Sequence, residues 1–360
     1  MIRNKNIDIL RAISILLIII YHCYAITGTG GQLTQWFHLN HFIGYGGEIG
    51  VTLFFMLSGL GIAYSLYYRM ESNEAYTYKQ FIGKRIRRIV PQYYLCLFFL
   101  VLFAEGAKFL SKSGLKSVVS HMLFVHNFSL DTSGSINGAL WTLGASVQFY
   151  LIAYPLYYLI KKKPLLCAAG SVLITILSKI IIFQYFAEKQ IFDGWYYFLH
   201  GRQVLTAFDN FILGMVIGYL LASGKKSCIR HEWIRWIIIL VDVILVDVLI
   251  HVSNHGNRWA NTKTGWFWYS ALAVVLAHFV WNFANCRLKG SNKVLLWIAK
   301  YEYGIYLWHL PMIINLYELS PLAQTVKESS MILFTIIIIL ISCYVGYVST
   351  LAMAGIEKGK

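Results

Sequence analysis

The sequence predicts an all-α, polytopic membrane protein of about ten transmembrane helices, with both termini cytoplasmic. Composition is the first ground. Hydrophobic residues make up 58% of the chain and charged residues 13%, whereas a soluble domain carries about 25% charged residues. The second ground is the length of the apolar runs. Ten of them approach the roughly 20 residues that cross a hydrocarbon core. The third is the placement of Lys and Arg. With the N-terminus inside, 22 of the 31 fall on the cytoplasmic side, which is the asymmetry that orients membrane proteins. This distribution also accounts for most of the net charge of +15. No nucleic-acid motif accompanies it, so nucleic acid is not an expected partner.

The expected spans are 8–26, 48–67, 89–107, 140–160, 164–183, 204–222, 233–251, 264–282, 294–317 and 329–352. The sixth and ninth are interrupted by polar residues or proline. The first follows a short charged lead (Arg3, Lys5) and reads as a retained span, since its run is long for a cleavable signal. No gap between runs is long enough for a soluble domain. One integral-membrane domain over 1–360 is therefore expected, with no appended soluble domain. Stretches 115–128 and 193–203 read as amphipathic pieces outside the membrane, and 127–139 as a flexible outer loop. The six cysteines form no CxxC or His/Cys cluster and read as small buried hydrophobes. No metal site is expected.

The first span carries the strongest chemical signal. Arg11 and His22 stand eleven residues apart, close to three helical turns, so both point to one face about 16 Å apart along the axis. Ionisable groups inside a membrane are costly and mark functional sites. His22 lies in the outer half of the span and Arg11 at its cytoplasmic end. Glu48 opens the second span at a similar depth to His22, where a carboxylate can orient a general base. Before the third span, KRIRRIVPQYY reads as a cytoplasmic loop with Pro91 at the helix start. Its Lys84, Arg85, Arg87 and Arg88 suit phosphate binding, and a phosphorylated cytoplasmic cofactor is the natural ligand. Trp141, Gln148 and Tyr150 are expected to shape the substrate cavity. His309 reads as a packing residue, and His121 and His126 as possible contacts of an acceptor. Asp242 and Asp247 could pair with other helices or line a polar path.

Five stretches in order resemble the acyltransferase-3 family of membrane acyltransferases: DILRAISILLIIIYH, GEIGVTLFFMLSGLGI, RIRRIVPQYYL, LWTLGASVQFYLIAYPL and YGIYLWHLPMI. They extend from residue 8 to about 312. The resemblance implies an acyl-CoA donor, acetyl-CoA by default, entering from the cytoplasm. It implies transfer of the acyl group to a hydroxyl of a cell-surface or exported carbohydrate or similar acceptor. His22 corresponds to the family's essential histidine, acting as general base or as transient acyl carrier, and Arg11 to its partner arginine. Arg85 and Arg87 match the Arg-x-Arg of the acyl-CoA step. Thr52 stands where the family often has an acidic residue, which Glu48 could supply, and Ser146 stands where it often has Glu. With no outer soluble domain, the acceptor is expected to be handled by the membrane domain or by an extracytoplasmic partner protein. The expected location is a cell membrane, multi-pass, in bacteria the cytoplasmic membrane. Composition alone also permits a transporter or flippase for a lipid-linked or small polar substrate.

Overall fold

A computed structural model of the chain describes residues 4–27, 40–72, 76–103, 108–189, 201, 203–225, 227–255, 263–288, 290 and 292–358. Every long element among them is a helix. In chain order these are α1 (Lys5–Thr27), α2 (Gly46–Ser72), α3 (Tyr78–Phe103), α4 (Lys112–Met122), α5 (Trp141–Lys162), α6 (Pro164–Glu188), α7 (Phe208–Ala222), α8 (Glu232–His255), α9 (Lys263–Ala284), α10 (Lys293–Leu319), α11 (Pro321–Ser329) and α12 (Met331–Lys358). Nine of the described helices are long and apolar enough to cross a membrane. The remaining expected span, the ninth, is α10, which has the length but is diluted by Lys300, Glu302 and His309. It packs against both α1 and α12. Large apolar side chains point outward along the spans, among them Phe98 and Phe103 on α3 and Ile237, Leu240 and Ile244 on α8. Such a surface belongs in lipid. The protein is an all-α polytopic membrane protein.

The third span starts earlier than its hydropathy suggests. Gln80 N–H donates to Thr77 Oγ1 at 3.3 Å, and Thr77 N–H donates to Gln80 Oε1 at 2.9 Å. This reciprocal capping box starts α3 at Tyr78. The basic stretch is therefore helical rather than a loop, and Pro91 lies well inside the helix rather than at its start.

Close backbone approach sets the centre of the bundle. A Cβ at Gly59 would collide with the carbonyl of Phe211, and one at Gly214 with that of Met56. Small residues let α2 and α7 meet backbone to backbone, the usual device where lipid gives helices no hydrophobic drive to associate. α1 packs between α2 and α10.

Two interior prolines leave a carbonyl without its helical partner, and neighbouring helices or loops claim it. Pro155 in α5 frees Leu151 O, which accepts from Tyr78 Oη at 3.0 Å. Pro311 in α10 frees Leu307 O, which accepts from Asn137 Nδ2 at 3.1 Å and from the Cys96 thiol at 3.6 Å.

The 115–128 expectation is met in part by α4, which is capped by Ser111 and exposes Leu115, Val119 and Met122. Stretch 193–203 lies outside the described residues except at 201 and 203. Segment 127–139 is ordered, against expectation. It folds into short helical turns that bury Asn127, Thr132 and Asn137, with Thr132 Oγ1 donating to His126 O at 2.8 Å. Its polar side chains satisfy backbone groups, so polarity there does not mean freedom.

Candidate active site

Two cavities open at opposite ends of one face of α1. Arg11 and Ser14 line the one towards the N-terminus of α1, called the inner cavity, and Ile18, Tyr21 and His22 the one towards its C-terminus, called the outer. The helical period predicted this shared face. The stacked rings of Phe54 and Tyr306, 5.2 Å between centroids, stand between the two. Phe54 lines the inner cavity and Tyr306 the outer.

The inner cavity has a volume of about 510 Å³ and is lined by Arg11, Arg69, Lys84, Arg85 and Arg88, against the single carboxylate of Glu302. So strong a cationic excess in a partly buried site calls for an anionic ligand. Aromatic rings hold the cations in place. Arg85 lies over Phe81 at 5.5 Å and over Tyr150 at 5.8 Å, and Lys84 over Tyr76 at 5.1 Å. Arg11 is braced by Asp8 at 3.6 Å and Glu302 at 3.7 Å. Arg87 lies elsewhere. It is exposed, and its Nε donates to Gly83 O at 3.2 Å within the same helix. Alternation over two residues on a helix cannot place Arg85 and Arg87 on one face. Sequence reasoning passed over Arg69, Tyr76 and Glu302, whose neighbours on the chain are unremarkable.

The outer cavity is much smaller, about 60 Å³, and brings His22 together with Glu48, Thr52 and Trp141. Glu48 and Thr52 are one turn apart on α2 and are both buried. The carboxylate missing at Thr52 is thus present on the same wall of the cavity. Tyr150 lines the inner cavity instead. Gln148 lines neither. Its amide donates to Phe124 O and Asn127 Oδ1, each at 2.8 Å, and so ties α5 to the ordered 127–139 segment.

His22 is held by a second histidine. His309 is fully buried. Its Nδ1 lies 2.6 Å from Tyr306 O, and its Nε2 lies 3.3 Å from His22 Nδ1. His22 Nδ1 also lies 2.9 Å from Ile18 O. A carbonyl oxygen can only accept, so each Nδ1 carries the proton. His309 Nε2 is then an acceptor toward His22, and the lone pair of His22 sits on Nε2. The α10 histidine expected only to pack therefore gives the Nδ1–H of the α1 histidine a second acceptor beside Ile18 O. Position in the sequence gave no sign of this, because the two are 287 residues apart.

The remaining expectations fall outside both cavities. His121 and His126 are buried and stacked at 4.0 Å. His121 Nδ1–H donates to Ser117 O at 2.8 Å, and His126 Nε2–H to Leu140 O at 2.9 Å. Burial pushes His121 down to about 3 and His126 down to about 4, so both are neutral. Asp242 pairs with His278 of α9 at 2.8 Å, and Asp247 is exposed on α8.

The polytopic helical bundle carries a histidine towards one end of α1 and a cation-lined cavity at the other, and its class is that of an integral-membrane enzyme. The sequence profile described as Acyltransferase domain matches residues 4–351, and the chain belongs to this acyltransferase-3 family. It is 27% identical over 326 residues to the peptidoglycan O-acetyltransferase OatA of Listeria monocytogenes, covering 86% of this chain and 49% of that protein. It is 26% identical over 304 residues to YrhL of Bacillus subtilis, provisionally named for the same activity, covering 77% of this chain and 46% of that one. The regulator of hypoxia-inducible factor 1 of Caenorhabditis elegans is 22% identical over 306 residues, 74% of this chain and 59% of that protein. The chain spans about half the length of the bacterial relatives. No solved structure matches it significantly.

Proposed function

We propose that the protein is a membrane O-acetyltransferase that moves an acetyl group from cytoplasmic acetyl-CoA to a hydroxyl of an exported or cell-surface glycan. The observation that carries this reading is the single helix α1, which places Arg11 in a cavity of five cations and His22, with Nδ1 protonated, in a second cavity. The termini and the inner cavity face the cytoplasm, as the Lys and Arg distribution favours. There Arg85 and Arg88, with Arg69 and Lys84, hold the phosphates of the donor. The outer cavity suits a small acyl group. At about 60 Å³ it is less than half of a cavity that holds benzene.

His22 is the general base. Its Nε2 takes the proton of the acceptor hydroxyl as the oxygen bonds to the thioester carbon. The C–S bond then breaks, and the imidazolium returns that proton to the leaving thiolate. Glu48, in the same cavity, favours the transient imidazolium. The acceptor class is suggested by the names of the bacterial relatives.

The experiment is acetyl transfer by purified protein in nanodiscs, from radiolabelled acetyl-CoA to glycan-strand fragments of peptidoglycan. Label should appear on the fragments, and His22→Ala should remove it while the protein remains folded. Full transfer by His22→Ala would sink the assignment. A transporter, the other reading composition permits, would turn over no acetyl-CoA.

A further inference from the structure

Lys179 sits in the apolar helix α6, yet its side chain is 2% exposed and turned into the bundle. A lysine at membrane depth is costly and rarely placed without use. Its ammonium lies 3.9 Å from the centroid of the Tyr269 ring and donates to Gly201 O at 3.5 Å. The carboxylate of Asp209 attracts it. Asp209 is fixed in turn. Ser270 Oγ donates to its Oδ2 at 2.7 Å, and Asn210 N–H to its Oδ1 at 2.8 Å. Its own N–H donates to Thr175 Oγ1 at 3.0 Å. Helices α6, α7 and α9 together fix one cation at one place. That place is the wall of the outer cavity, which His22 and Glu48 also line. Among the described residues, Lys179 is the single Lys or Arg that lines it.

We propose that Lys179 is a catalytic residue of the acyl-transfer step, stabilising the oxyanion that forms beside His22. This rests on the acyltransferase reading above. When the acceptor oxygen bonds to the acyl carbon and its proton passes to His22 Nε2, the carbonyl π electrons move onto oxygen. The ammonium of Lys179 donates a hydrogen bond to that alkoxide and keeps its protons. Collapse restores the C=O bond and expels the thiolate, which takes the proton from His22. A fixed cation in a dry site counts for far more than one in water. Base and cation line one cavity of about 60 Å³. Asp209 lines the same cavity, so both members of the charged pair stand in the wall that faces the base.

The test compares Lys179→Met, Lys179→Arg and the double variant Lys179→Met/Asp209→Asn with unaltered protein, in nanodiscs, using acetyl-CoA and glycan-strand fragments. Loss of one oxyanion donor costs about 10²- to 10³-fold in kcat. Lys179→Met should lose that much with KM for acetyl-CoA unchanged, and Lys179→Arg should recover part of it. The double variant removes both buried charges, so it leaves no unpaired one to unfold the protein, and it should be equally inactive. A folded double variant with kcat within about threefold of the unaltered protein would overturn the proposal. So would a rise in KM for acetyl-CoA with kcat intact. Absence of transfer by the unaltered protein would instead overturn the functional reading on which the proposal rests.

Discussion

His309 Nε2 lies 3.3 Å from His22 Nδ1, and His309 Nδ1 is tied to the carbonyl of Tyr306. The proton order along this chain is fixed from its buried end, because Tyr306 O can only accept. His309→Ala removes the acceptor that orients His22 but leaves the base in place. A displacement of about 1 Å at a catalytic group can cost up to 100-fold in rate, so kcat should fall by up to about 100-fold. His22→Ala should cost more, about 10²- to 10⁴-fold, as loss of a general base does. His309→Gln, whose amide oxygen can accept from His22, should recover part of the loss. Steady-state kinetics of the three variants check the order. Equal losses in His309→Gln and His309→Ala would remove the orienting role.

Arg85 and Arg87 are two residues apart and face different surroundings. Arg85 is packed over Phe81 and Tyr150 in the inner cavity, and Arg87 is exposed on its own helix. A charge-assisted hydrogen bond contributes about 1.5–3 kcal/mol. Arg85→Ala should therefore raise KM for acetyl-CoA by about 10- to 100-fold, and Arg87→Ala should leave it within about twofold. Titration of acetyl-CoA against each variant decides this. Equal effects would mean that the donor lies outside the inner cavity.

Much of the site could be read from the sequence where a helix period does the placing. Arg11 and His22 share a face because eleven residues make three turns, and Glu48 meets His22 because both stand near one end of their spans. The rest depends on tertiary packing. Lys179, Asp209 and His309 come from α6, α7 and α10, and no spacing along the chain relates them to His22. Lys179 near the end of an apolar run reads as a charge of the adjoining loop until the fold turns it inward. The start of α3 was missed because Thr77 and Gln80 lie outside the apolar run that marked the span. An intramembrane charge was the one available signal for Lys179 and Asp209.

Asn137 donates to Leu307 O, the carbonyl that Pro311 leaves without a helical partner. Leu307 is two residues before His309, so this contact also steadies the site. Removing one partner of a buried hydrogen bond costs about 1–3 kcal/mol. Asn137→Ala should lower thermal stability by that amount. In a Pro311→Ala background the restored N–H of residue 311 can donate to Leu307 O, and the same substitution should cost less. Unfolding of the four proteins completes the cycle. Equal losses in both backgrounds would show that Asn137 stabilises by other means.

The stacked pair His121 and His126 makes stability sensitive to acid. Both are buried, with their protonation shifted down from 6.5 to about 3 and about 4, because burial disfavours the charged ring, and at His121 the facing His126 adds to the effect. Unfolding frees them to bind protons near pH 6.5. The unfolded chain therefore binds more protons than the folded one below that pH, and acid favours unfolding. Above pH 6.5 the pair contributes no pH dependence. As pH falls from 6.5 toward 4, each histidine should remove about 1.4 kcal/mol of stability per pH unit. Thermal unfolding in detergent between pH 7.5 and 5 should show this decline. In His121→Gln/His126→Gln, whose amides do not titrate, the curve should flatten over the same range. An unchanged slope in the double variant would assign the acid sensitivity to other groups.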